Sequence, residues 1–522
     1  MSIATIHSCV VSSKKLTVVV FVLILLGCGL FLRLYPLNTA PYWMDEGYTI
    51  NAVLSYTIGQ TEGVSAVLDS GATYECFLYC YPTSLISNAF GASASTYRIL
   101  AVVFGMLSIL VLYVTTRELF NRRTALLTAF FINFAYFQIA WSTQARWYTM
   151  FLFFFWLALW LFVRTTKQYA LASKLSFKTI LLATCCVIAT VLTILSQKIG
   201  IILPGIFAGY TMYLNYWQKT FRFLPTTTIV TALILISAIV DTLSGQRLLL
   251  NFLSNIDFNY NLPYYLNFLW REYLVFIPLA LYALYHSNGR DSRALLAYIF
   301  LAYLIPLSFL TSIVHYRYIF HVTPILFILG SVGLFDILKN LPLKYTFKYQ
   351  TPLTIALLIT IFFIQGTGVI TPQDRYWLEA DDPSKLSARP SYAYTPQPDW
   401  NTAYDYIKTN RTSNDIVISS HPHFNKIFLR EPGYWISFNY LGFDGRNEFR
   451  TTDNREFYVG AQIIDTPEQL QQLTSNQHGF IVFDYMAQDG RITPDILDSI
   501  DTLPLVFHKK DNAYSEIWVF RF

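Results

Sequence analysis

The run Tyr42-Trp43-Met44-Asp45-Glu46-Gly47-Tyr48 sets two adjacent carboxylates among aromatic rings, shortly after the first long apolar stretch. Ionisable groups at a membrane boundary are costly unless they are paired or used. On a helix over Met44 to Tyr56, Asp45 and Glu46 would stand about 100° apart and face different partners. One could then take a proton from a substrate hydroxyl while the other holds a cation or the local fold. The pair also fits a solvated helix start, with acids at the positive end of the helix dipole.

A second set consists of isolated cations at the ends of apolar stretches: Arg33, Arg98, Arg146, Lys198, Arg271 and Arg317. Each alone would read as a snorkelling side chain. Together, on the side that otherwise avoids positive charge, they suit an anion at the outer surface, and a lipid-borne phosphate is the natural candidate. His315-Tyr316-Arg317-Tyr318 is the densest cluster, and it also fits an aromatic-belt turn. Glu75 could supply one metal ligand or touch an acceptor, although a divalent ion needs several converging donors. Cys76 and Cys80, four apart, are expected to remain unbonded thiols, and Cys9, Cys28, Cys185 and Cys186 read as small apolar residues.

These residues must be positioned by a chain of 522 residues with only 13% charged residues and a mean hydropathy of +0.40. Soluble domains carry about 25% charged residues, so a purely cytosolic protein is excluded. Residues 1–370 hold 23 Lys/Arg against 11 Asp/Glu, and residues 371–522 hold 14 against 21. That division excludes a disordered chain, and the net charge of +5 is too scattered for nucleic-acid binding. Leu16 to Leu32 is free of charge and follows Lys14-Lys15, as in a first span entered from the cytoplasm. A lipoprotein cleavage site at Leu25-Leu26-Gly27-Cys28 is disfavoured by bulky Leu26 and by the apolar run continuing past Cys28.

Further apolar stretches, among them 124–141, 147–163, 226–243 and 318–337, bring the expectation to about eleven spans. Basic residues such as Arg117, Arg122, Arg123, Lys174 and Lys344 then collect on one side, whereas residues 34–97 contain no Lys or Arg before Arg98. The positive-inside rule puts the N-terminus in the cytoplasm and residues 371–522 outside an inner (plasma) membrane. The short, Pro82-containing segment 76–90 reads as a juxtamembrane or re-entrant helix of the outer loop 35–97.

Pro-containing segments near Thr371-Pro372 and Pro390 to Pro398 read as a linker to a soluble α/β domain, residues 371–522. Asp415 to Ser420 and Phe480 to Asp484 read as strands. Thr466-Pro467-Glu468-Gln469 reads as a capped helix start, Thr493-Pro494-Asp495 as another, and Leu505 to His508 with Glu516 to Phe520 as a terminal strand pair. Without a Cys, a nucleophile motif or a phosphate loop, this domain is expected to bind or scaffold.

The order of features over 16–370 resembles the polytopic GT-C glycosyltransferases, in particular the family 39-like group of protein O-mannosyltransferases and lipid A aminoarabinose transferases. The resemblance rests on Asp45-Glu46 after the first span, Glu75 followed by Leu78-Tyr79 and Phe90-Gly91, Tyr97-Arg98, Arg117 to Arg123, Ser142 to Tyr148, and Arg317-Tyr318 with Pro324. It implies a GT-C membrane domain (1–370) that moves a sugar from a polyprenyl-phosphate donor to a hydroxyl of a glycan, lipid or protein, with inversion. By the same resemblance Asp45 would be the base and Glu46 an organiser of acceptor or loop. Arg33, Arg98, Arg146, Lys198 and Arg317 would neutralise the departing phosphate, Tyr48 and Tyr318 would line the acceptor or loop, and Glu75 would match a divalent-metal position. The family's Pro-Pro after that acid is here Cys76-Phe77, and its His-Tyr after the fifth span is Gln197-Lys198. A transporter or lipid-linked-sugar flippase with an exported binding domain is the rival class, but the informative charges lie at outer helix ends and no repeat links the halves.

Overall fold

The computed structural model describes residues 20, 22–58, 73–171, 176–218, 260–287, 292–310, 315–340, 350–369, 398–436, 451, 453–456, 459–485, 492–510 and 515–522. The chain divides into two compact units. One comprises 1–37, 98–143 and 147–376; the other comprises 38–97, 144–146 and 377–522. The tripeptide Gln144 to Arg146 therefore belongs with residues 38–97 and 377–522, although the chain on both sides of it belongs to the first unit.

The first unit is helical. Among the described residues, Ala94–Leu119, Tyr148–Tyr169, Phe177–Ser196 and Ser292–Phe309 are long and apolar enough to cross a membrane; Leu262–Tyr273 and Phe276–Tyr285 form one further pair bent by 102°. Val22–Leu34 and Pro352–Ile364 are shorter apolar helices. The stretch 226–243 and nearly all of the expected linker lie outside the described residues.

Residues 124–141, expected as one span, form two helices, Arg122–Phe134 and Tyr136–Ser142, separated by extended Ala135. The break holds because another segment satisfies the freed backbone groups. Tyr136 N donates to Thr367 O (2.8 Å), and Val369 N donates to Phe134 O (2.9 Å). An apolar interior tolerates irregular backbone only under that condition. Asn121 caps the first of the two helices, its side chain accepting from Arg123 N and Thr124 N. Around the break Phe131, Phe276, Phe327 and Phe362 pack together, Phe131–Phe276 and Phe276–Phe327 edge to face with centroids 4.8 and 4.7 Å apart. Helices Phe276–Tyr285 and Pro324–Asn340 come so close that a Cβ on Gly333 would lie 2.0 Å from Leu279 O. Such small-residue contact lets backbones meet where no hydrophobic drive favours association.

In the second unit, helices Met44–Ile58 and Thr73–Phe90 pack against each other, and a six-stranded sheet forms from the C-terminal residues. Its strands are β1 (Ile416–Ser419), β2 (Tyr434–Ile436), β3 (Gln462–Ile464), β4 (Gly479–Asp484), β5 (Leu505–Lys509) and β6 (Ile517–Arg521), in the order β3-β2-β1-β4-β6-β5. The first four in that order run parallel, and β6 is antiparallel to both β4 and β5. β4 is buried at every position, as a strand covered on both faces must be. Ile481, Phe483, Ile496, Ile500 and Phe520 lie in the domain's core. Thr466 caps Pro467–Asn476 through Gln469 N, while the Gln469 side chain reaches back to Asp465 N instead of the cap's own amide.

Cys76 and Cys80 correct one expectation, because they form a disulfide with their Cα atoms 5.1 Å apart. One turn of the helix Thr73–Phe90 brings the two positions within the range that a disulfide spans.

Candidate active site

The helix Met44–Ile58 starts where its own side chains satisfy its first amides. Glu46 Oε2 accepts from Trp43 N at 3.0 Å, the carboxylate arm of a capping box. Its other oxygen accepts from Ala145 N at 2.6 Å. With both oxygens on main-chain amides and only 1% of the residue exposed, Glu46 holds the tripeptide to the helix start. The helix dipole and the two hydrogen bonds offset the burial of its charge.

Asp45, on the adjacent face, is the more open of the two. Its side chain is 19% exposed, and Oδ2 lies 3.6 Å from the Arg146 guanidinium. Arg146 is fixed from several sides. Its NH1 group donates to Asp45 O (3.1 Å) and Thr49 Oγ1 (2.9 Å), and its guanidinium stands 5.9 Å from the Trp43 ring centroid. The arrangement presents a charge-compensated carboxylate on a rigid helix start. The Tyr48 ring lies against His423, with ring centroids 4.7 Å apart and planes inclined at 39°.

The remaining cations lie in the first unit and divide by exposure. Arg33 is buried; its Nε donates to Ser142 Oγ (3.2 Å) and its NH1 group to Gly29 O (2.9 Å) and Asn133 O (3.1 Å). Asn133 is among the last residues of Arg122–Phe134, so Arg33 supplies a donor at a carbonyl end that lacks helical partners. Arg98 is buried likewise and donates to Leu37 O at 2.8 Å. Lys198 is exposed, just after Gln197, whose Oε1 accepts from Trp147 Nε1 at 2.9 Å. Arg317 is half-buried over the Tyr318 ring at 5.4 Å. Arg271 pairs with buried Glu272 at 2.8 Å.

Glu75 falls in the first turn of Thr73–Phe90, and its side chain lies outside the described residues. Among the described residues no three His, Cys, Asp or Glu side chains converge as metal ligands.

Sequence reasoning missed His421, His423 and Asp484. His421 Nε2 lies 3.2 Å from Asp484 Oδ2, and both residues are buried at the carboxyl ends of β1 and β4. The available signal was His421-Pro422-His423 directly following a strand. Burial, with the neighbouring His421 contributing, holds the His423 imidazole well below its ordinary value of 6.5.

Residues 75–240 match the family described as dolichyl-phosphate-mannose-protein mannosyltransferase. No curated protein sequence matches the chain. In three dimensions the chain is similar to ArnT from Cupriavidus metallidurans in the apo state, with a TM-score of 0.59, 14% identity, and coverage of 96% of this chain and 98% of that one. The same enzyme bound to undecaprenyl phosphate gives a TM-score of 0.58 at 14% identity over the same shares. AglB, the oligosaccharyltransferase of Archaeoglobus fulgidus in complex with an inhibitory peptide and a dolichol-phosphate, gives 0.55 at 13% identity, covering 95% of this chain and 74% of that one. The chain thus shares its fold with these proteins over nearly its whole length and carries that family's pattern over residues 75–240.

Proposed function

We propose that this protein transfers a glycosyl group from a polyprenyl-phosphate donor to an acceptor hydroxyl at the outer face of the membrane, with Asp45 as general base. The acceptor oxygen attacks the anomeric carbon and the bond from that carbon to the phosphate oxygen breaks. The hydroxyl proton passes to the Asp45 carboxylate, and polyprenyl monophosphate leaves with inversion at the sugar. The observation that carries this reading is the contrast between neighbouring acids. Glu46 has both oxygens on main-chain amides, whereas Asp45 is partly exposed and sets its carboxylate 3.6 Å from the Arg146 guanidinium.

Arg146, Lys198 and Arg317 are the cations assigned to the leaving phosphate, because positioned charge counts most where charge develops away from water. Arg33 and Arg98, assigned to the same phosphate by the resemblance, also donate to main-chain oxygens, those of Asn133 and Leu37. Tyr48 and Tyr318 flank the acceptor side. Glu75 is the residue this reading keeps for a divalent metal ion. The structural neighbours support a lipid-phosphate donor: ArnT is bound to undecaprenyl phosphate and AglB is in complex with a dolichol-phosphate. The topology belonging to this reading has about eleven spans, a cytoplasmic N-terminus and the α/β domain outside.

The test is Asp45→Asn in membranes supplied with a labelled polyprenyl-phosphate sugar. Loss of transfer with donor binding retained supports the base; transfer at the unmodified rate removes it.

A further inference from the structure

In an open parallel sheet the crevice for a ligand lies where the strand order reverses, outside the carboxyl ends of the two strands that flank the reversal. Here the chain passes from β1 through β2 to β3 on one side and then returns to β4 on the other, so the reversal falls between β1 and β4. The segment leaving β1 is Ser420-His421-Pro422-His423. His421 ties the two strand ends together, its Nε2 on Asp484 and its backbone N donating to Ser419 Oγ at 3.0 Å. His423, in the first turn of helix Pro422–Leu429, is fully buried between the rings of Tyr48 (4.7 Å) and Phe424 (4.4 Å).

What meets this edge of the sheet is the chain's own base-bearing helix. A Cβ on Gly47 would lie 2.1 Å from His423 Cδ2 and 2.6 Å from Nε2, closer than any side chain tolerates. Asn51 Nδ2 donates both to Gly47 O (2.9 Å) and to His423 O (3.1 Å), which stitches the two helices at the same level. Tyr42 adds a ring contact to Phe428, centroids 6.0 Å apart. Gly47 is two residues from Asp45, so the His423 ring sets how closely the start of that helix approaches the sheet.

We infer that His423 is a positioning residue for Asp45, and that the carboxyl edge of the α/β sheet serves as the seat of the catalytic helix. The inference rests on the proposed role of Asp45. His423 touches no reacting atom. It acts through Gly47, and the fit requires the imidazole on one side and the missing side chain on the other. Displacement of a reacting group by about 1 Å costs on the order of 100-fold in rate, so the expected effect is on turnover and not on donor affinity.

The experiment uses the full-length protein in membranes with a labelled polyprenyl-phosphate sugar as donor. Gly47→Ala should lower kcat by about 100-fold and leave the donor KM within about 3-fold. His423→Ala should lower kcat less. The double variant should match His423→Ala alone, because the ring that the new methyl group strikes is gone. Independent, multiplicative losses, or a Gly47→Ala protein with unchanged kcat, would overturn the inference. If Gly47→Ala fails to accumulate, Asn51→Ala carries the test, with a several-fold kcat loss at constant KM expected and unchanged kcat overturning it. Asp45→Asn run in parallel separates the two ideas. Its full activity removes the base itself, whereas its inactivity beside an uncoupled Gly47–His423 pair removes only the positioning role.

Discussion

Arg33 and Arg98 in one unit and Asp45 in the other meet different kinds of partner. In the helical unit Arg33 and Arg98 are sunk against main-chain oxygens at the ends and turns of helices, where the chain lacks its own donors. In the unit that holds Asp45, the carboxylate of that residue is set against a side chain, Arg146. A cation that completes a helix end is part of the backbone's hydrogen bonding, and removing it leaves a carbonyl unserved in an apolar interior. A carboxylate paired at 3.6 Å and partly open can exchange its partner for a substrate proton. The difference separates residues that keep the fold from residues able to take part in a reaction, although all of them are ionisable residues at the ends of apolar stretches.

Substitutions can break that distinction. The largest effect belongs to Asp45→Asn, expected to lower kcat by about 10²- to 10⁴-fold with little change in thermal midpoint; a normal rate would place Asp45 with the structural charges. Arg33→Met should do the opposite, costing about 2–3 kcal/mol in detergent melting while the folded fraction keeps its turnover. An inactive but fully stable Arg33→Met would move that cation to the reacting side. Glu46→Gln turns an amide N–H₂ toward one of two amides that need an acceptor, so a loss of about 1–3 kcal/mol in melting is expected, larger than its effect on kcat per folded molecule.

Smaller still is Asp399→Ala, which removes the helix cap at Thr402 N and the contact with Lys509. It should cost about 1 kcal/mol in the same melting experiment. Burial acts to raise the Asp399 pKa, but Lys509 and Thr402 outweigh it and hold the carboxyl below its ordinary 3.8. Its stabilising share is therefore present above pH 3.8 and lost as the pH falls through the lowered folded value, a loss that Asp399→Asn should not show. His423 gives the corresponding test on the acid side of neutrality. Its folded pKa is depressed by burial, so the unfolded chain binds the proton first and stability should fall as the pH drops below 6.5. Melting followed against pH should show that slope in the parent protein and a flatter one in His423→Phe.

Much of the α/β domain was legible because local patterns and tertiary packing agree there. The apolar runs at β1 and β4 and the Thr466 cap appear where composition placed them. The helix at Asp45 was also legible, and the different faces of its two acids followed from helical geometry alone. Other features depended on distant partners. The break at Ala135 is held open by Thr367 and Val369, and nothing in the apolar run 124–141 announces it. Glu46 finds its second amide at Ala145, across about a hundred residues. Cys76 and Cys80 stand one helical turn apart, a spacing that brings the thiols within reach without saying that they pair. His421 went unnoticed because its significance depends on β4 lying beside β1, a property of strand order that no local pattern carries.

The contact between Gly47 and His423 also constrains how such a sequence can drift. A lineage cannot gain any side chain at 47 while the imidazole remains, yet it can lose the imidazole first and accept alanine afterwards. Of the two orders in which the positions can change, loss of the imidazole first is the less disruptive, so descendants should carry a side chain at 47 mainly on backgrounds already small at 423.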